Sequence, residues 1–149
     1  MWIYLVSDHD VVVGRIKTAF EEKGYRVQIR GNNLPQGSGR REAIYRPDML
    51  VRSQVRPDIL WIVEVETGQA GKSVVGAAAL ADVCMQIETE SGKQQGQPTL
   101  IFVFYRASVR LQLAEKRIRK LKEQRRLRFV GDAKVLTENE ALAKIRARS

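Results

Sequence analysis

The chain is poor in the residues that most often carry metal and nucleophile chemistry. It has one cysteine, Cys84, and one histidine, His9. A single cysteine excludes an internal disulfide and a cysteine-cluster zinc site. A single histidine argues against His-rich metal chemistry and against a histidine-centred triad. No apolar run approaches the length of a membrane span and no secretory signal is read, so a cytoplasmic protein is expected. Internal repeats and low-complexity tracts are missing as well. What is abundant is positive charge: 26 Lys and Arg against 17 Asp and Glu give a net +9 and a pI near 10.1. That balance favours an anionic partner, nucleic acid before a membrane surface. The 149 residues, 44% of them hydrophobic, suffice for one domain with a true core, spanning 1–149.

The most informative stretch runs from Tyr45 to Glu66. Met49, Leu50 and Val51 form the apolar part of one strand. Ile59 to Val65, β-branched and aromatic, form a second. Asp48 opens the first strand, and Glu64 and Glu66 close the second. Side chains alternate along a strand, so Glu64 and Glu66 share a face opposite to that of Val63 and Val65. So apolar a strand belongs in the interior, where two acids on one face call for a cationic partner. A divalent metal ion is the simplest one, because Mg²⁺ takes carboxylate oxygens plus waters.

These residues resemble the PD-(D/E)xK nuclease superfamily, the restriction-endonuclease-like and Holliday junction resolvase-like proteins. Pro47-Asp48 matches the first half of its motif and Glu64-Val65-Glu66 the second. The resemblance implies that Asp48 and Glu64 bind metal, with help from the Val65 carbonyl. Glu66 stands where the pattern has Lys. The resemblance offers two ways round this: a third carboxylate at Glu66, or a lysine moved to the next helix, for which Lys72 is available.

Upstream, Ser7-Asp8-His9-Asp10 reads as a helix start after an apolar strand, Trp2 to Val6. Val13, Ile16 and Phe20 mark the helix's apolar face, and Gly24 its end. Tyr25 to Ile29 alternates as a strand. This opening, with Asp58 in Pro57-Asp58-Ile59-Leu60, also resembles a response-regulator receiver domain. The position matching a receiver's phosphate-accepting Asp falls in Ile62-Val63-Glu64, which has none. Residues 31–45, rich in Gly and carrying Arg40 and Arg41, read as a long, basic, flexible loop.

Thr67 to Ser73 nearly matches a phosphate-binding loop, but Glu66 occupies the place of its first glycine. Gln69 in this link, and Gln86 on the following helix, are further polar candidates for a site. That helix, from about Lys72 to Ile87, is apolar nearly all round and is expected to be largely buried. Glu88 to Pro98 reads as a polar loop and Thr99 to Tyr105 as a buried strand. Leu111, Ala114, Ile118 and Leu121 mark one face of a long helix. Its other face carries Lys116, Arg117, Lys120, Arg125 and further cations, the strongest basic concentration in the chain. Arg128 to Leu136 reads as a last strand, and Thr137-Glu138-Asn139-Glu140 as a capping box opening a final helix.

The expected fold is α/β: a mixed central sheet flanked by helices, with the restriction-endonuclease-like order helix, three strands, helix, strand. The expected function is metal-dependent hydrolysis of DNA phosphodiesters. Asp48, Glu64 and Glu66 would hold Mg²⁺ or Mn²⁺, Lys72 would support the reaction, and Glu21 is a candidate to complete the metal shell. Arg40, Arg41, Lys116, Arg117, Lys120 and Arg125 would contact the DNA backbone. A nuclease-like domain that only binds DNA or a partner is the second reading, and a receiver-like signalling domain the third. DNA is the expected partner, with a homodimer left open and no membrane partner.

Overall fold

A computed structural model describes residues 7–66, 74–105 and 109–147. The expected strand at Trp2 to Val6, together with Gln69 and Lys72, lies outside the described residues. The fold is α/β, a five-stranded mixed sheet with four helices packed against it. Helix α1 (Asp8–Glu22) leads into β1 (Arg26–Gln28), β2 (Met49–Arg52) and β3 (Ile59–Glu66). Helix α2 (Val74–Glu90), strand β4 (Thr99–Phe104), helix α3 (Val109–Glu123), strand β5 (Asp132–Thr137) and helix α4 (Glu138–Ala147) follow. The strands lie in sequence order. β1 to β3 form an antiparallel meander, and β4 and β5 add in parallel. A receiver-like sheet has order 2-1-3-4-5; the described strands do not adopt it.

The local signals explain the element boundaries. Ser7 caps α1 by accepting from the Asp10 amide, and Gly24, at φ 87°, lets the chain leave the helix in a left-handed turn. Thr137 and Glu140 exchange hydrogen bonds in a capping box that starts α4.

Both faces of the sheet are covered, which is why β3 and β4 read as nearly continuous apolar runs. Leu50, Ile62, Leu100 and Phe102 pack under α2 and α3. Met49, Trp61, Val63, Ile101 and Val103 pack under α1 and α4. Among the described residues no helix is long and apolar enough to cross a membrane.

Four segments differ from the sequence expectation. First, α2 is not buried all round: Leu80, Val83 and Ile87 are exposed, because sheet and α3 occupy only part of its circumference. Second, the expected polar loop from Glu88 carries buried groups. Glu88 ends up in the core, accepting from the Gln36 amide at 2.7 Å and the Gln36 side chain at 2.8 Å. Gln94 is buried too, and exchanges two 2.9 Å hydrogen bonds with the backbone of Ile59 at the entrance of β3. Third, residues 31–45 are anchored rather than loose. Leu34 is fully buried and bridges to Tyr45. Fourth, the last strand starts at Asp132. The segment before it is held instead by Asp82 Oδ1, which accepts from the amides of Arg128, Phe129 and Val130.

Candidate functional site

The register of β2 on β3 pairs Met49 with Val63 and therefore sets Asp48 across from Glu64. Like charges directly opposed on paired strands are unfavourable unless something offsets them. Here the backbone offers part of the offset. The Asp48 amide donates to Glu64 Oε1 at 2.7 Å, and the Val65 amide donates to Asp48 Oδ2 at 2.8 Å. Both acids thus sit at one end of the two-strand unit, next to the carboxyl ends of the parallel strands β3 to β5. Ligands in open α/β sheets bind at that end.

Burial makes the cluster electrostatically tense. The Glu64 carboxyl is pushed up to about 8, first by desolvation and then by the charge of Asp48, with Glu66 adding to it; the hydrogen bond from the Asp48 amide works the other way. Tyr45, buried beneath, has its hydroxyl pushed well above the usual range by burial and by the charges of Glu64 and Asp48. Its Oη lies near Glu64 but has no well-formed hydrogen bond among the described residues.

His9 joins the site from the first turn of α1. Its Nε2 stands 3.2 Å from Asp48 Oδ1, and its Nδ1 3.4 Å from Asp10 Oδ1. Burial disfavours the imidazolium, but the charge and hydrogen bond of Asp48, aided by Asp10, outweigh it, and the pKa is raised. Asn32 ties the preceding loop to the strand start: its Nδ2 donates to the carbonyls of Pro47 at 3.0 Å and Asp48 at 3.1 Å. Its Oδ1 is buried and has no donor among the described residues. A cleft of about 700 Å³ opens beside these groups, lined by His9, Asp10, Arg30, Asn32, Arg46 and Asp48 among others.

Asp48 and Glu64 therefore meet across the strand pair, and Glu66 is near enough for its charge to act on Glu64. Two other candidates lie apart from them. Glu21 sits at the far end of α1 from His9, about 18 Å along the helix, and pairs with Lys17 at 2.9 Å. Gln86 lies three turns into α2, exposed, and donates to Glu90 at 2.8 Å. Lys116, Arg117, Lys120 and Arg125 are exposed along and just past α3, which covers the same sheet face that Glu64 points to. Arg40 and Arg41 are exposed in the loop before Asp48.

His9, Asn32, Arg30 and Arg46 escaped the reading of the sequence. The only signal for His9 was its place in a helix start, which says nothing about what the helix start faces.

The donor set suits a divalent cation in its chemistry: carboxylate oxygens, with burial and the charges of Asp48 and Glu66 raising the protonation of Glu64. Among the described residues no three His, Cys, Asp or Glu side chains already form a metal-holding group. No protein-family model matches the chain, and comparisons with curated proteins and with solved structures give no significant match.

Proposed function

We propose that the protein is a metal-dependent nuclease acting on DNA, with Asp48 and Glu64 as its central metal-binding carboxylates. One observation carries the reading: two acids face each other across β2 and β3 in a half-buried place where desolvation first, and then the charges of Asp48 and Glu66, lift Glu64 to about 8. A fold keeps such an arrangement at a functional site more readily than in a structural one. A bound Mg²⁺ or Mn²⁺ would supply an activated water and offset charge developing on the phosphate.

The chain's own groups have definable tasks. Asp48 and Glu64 would hold the ion, with the backbone amides fixing their orientation and His9 standing at Asp48 Oδ1. Glu66 would add a third carboxylate. His9, on Asp48, can hold or release a proton at Nε2. Arg30 and Arg46 flank the cleft, and the exposed cations of α3, which packs on β5 at the other edge of the sheet, form a separate basic surface that a phosphate backbone would follow. Lys72 follows from the family resemblance and from its short sequence distance to Glu66.

A second reading, a nuclease-like module that binds DNA without cutting it, is favoured by one feature. Glu66 stands at the position of the family's lysine, and one oxygen of both Asp48 and Glu64 is already taken by an amide. Incubation of the protein with linear and branched DNAs, with Mg²⁺ or Mn²⁺ and with chelator, separates the two. Cleavage that requires the metal and is lost in Asp48→Asn supports the enzyme. Binding without cleavage under every metal leaves the binding module.

A further inference from the structure

Eight large apolar side chains are exposed among the described residues, and most are scattered singly. Three of them gather on one helix. Leu80 is 41% exposed, Val83 45% and Ile87 37%, all on α2. With exposed Gly76 they run at intervals of four, three and four residues. That spacing is the seam along which two helices pack side by side.

The seam is matched to itself. Turned end for end about its midpoint, it sets Leu80 against Val83 and Gly76 against Ile87. Each large side chain then faces a smaller one, as an isologous two-fold contact requires. Charge points the same way. None of the chain's 26 Lys and Arg lies in the 17 residues of α2. Its acids are occupied: Asp82 holds the Arg128–Val130 amides, Glu88 is buried on Gln36, and Glu90 accepts from Gln86. Two bodies of charge +9 repel, and α2 is the helix that brings them together with no Lys or Arg among its own residues.

We infer that α2 is a self-association surface, where a second copy of the chain packs its own α2 antiparallel across Gly76, Leu80, Val83 and Ile87. The inference does not depend on the nuclease reading. A seam of about 16 Å supports a contact at the small end of specific interfaces, so the dimer is reversible.

Sedimentation velocity over a concentration series on the full chain tests this, free of DNA. The expected result is monomer passing to dimer, with a dissociation constant on the order of 10–100 µM, and tighter association as salt screens the repulsion. Leu80→Lys and Val83→Lys should each weaken it at least about tenfold, while Val55→Lys, at an exposed position outside α2, leaves it unchanged. Circular dichroism checks that the variants stay folded. Mixing Leu80→Cys protein with Val83→Cys protein should give a disulfide-linked pair in higher yield than either variant alone. A chain that stays monomeric to about 500 µM, variants that associate like wild type, or linkage no better in the mixture than alone would overturn the inference.

Discussion

The Asp48 amide donates to Glu64 Oε1 at 2.7 Å while the Val65 amide donates to Asp48 Oδ2 at 2.8 Å, so each carboxylate is held by the strand that carries the other. Two acids are thereby fixed in orientation by backbone amides, with His9 a further partner of Asp48. That preorganisation is what a metal site needs, since ligands already in place lose little entropy on binding.

Replacement of Asp48 should separate orientation from charge. Asp48→Asn keeps an oxygen to accept the Val65 amide but removes the charge that attracts metal. Cleavage should fall by at least about 10²-fold, with the melting temperature nearly unchanged. Asp48→Ala also loses the hydrogen bond, with a stability loss of roughly 1–2 kcal/mol. Wild-type cleavage rates in Asp48→Asn would place the activity elsewhere.

Glu64 makes stability depend on pH. Its folded pKa, about 8, lies above the ordinary value of 4.5, so the folded state binds the proton more tightly than the unfolded state does. Its contribution is then full below about pH 4.5 and is lost as pH rises through 8. In chelator, wild-type stability at pH 8.5 should be lower than at pH 6, by an amount that shrinks in Glu64→Gln. Mg²⁺ or Mn²⁺ should raise the melting temperature most at the alkaline end, where the carboxylate is already ionised. Equal pH curves for wild type and Glu64→Gln would show that Glu64 titrates normally.

That Asp48 and Glu64 meet at one end of two paired strands was legible in the sequence, because strand alternation and the Pro-Asp step are local signals. The sheet and the helices were legible for the same reason. His9 was not, since only the packing of α1 on the sheet brings it to Asp48. Glu88 and Gln94 were misread because a polar residue that serves buried backbone groups looks, in sequence, like one facing water. α2 was misread in the opposite sense: apolar periodicity reports hydrophobicity and not whether anything covers it.

Gln94 is the sharper test of that correction. It satisfies both the amide and the carbonyl of Ile59. Gln94→Leu keeps the volume and strands both groups, so chemical denaturation should report a loss of about 2–4 kcal/mol. A loss below about 0.5 kcal/mol, the level of an ordinary surface change, would return this segment to solvent.

If α3 contacts DNA as proposed, binding should weaken steeply with salt. Removing Arg117, Lys120 and Arg125 together should lower the slope of log K against log salt by roughly two to three, about one per lost phosphate contact. Arg125 gives a second readout. It holds a left-handed backbone, φ 54°, after the end of α3, where glycine is the usual residue. Arg125→Gly should therefore relieve a left-handed cost of about 1–2 kcal/mol, offset in part by glycine's greater freedom in the unfolded chain, about 0.4–1 kcal/mol, for a net gain in stability, while weakening any DNA binding through α3. An unchanged salt slope would leave the basic face with no role in binding.

Lys72 decides between an enzyme and a binding module. With Glu66 where the nuclease pattern that the chain resembles has lysine, a working catalyst takes its positive charge from elsewhere or relies on a third carboxylate. In sequence Lys72 lies six residues beyond Glu66, across a glycine-containing link. If it supplies that charge, Lys72→Met should cut turnover by about 10²-fold, the scale of losing one transition-state stabiliser. Metal-dependent stabilisation should persist, because Asp48 and Glu64 remain. Glu66→Gln should show the reverse pattern, weakening the rise in melting temperature with metal. Full cleavage by Lys72→Met, with a large loss in Glu66→Gln, would assign the compensation to the carboxylate.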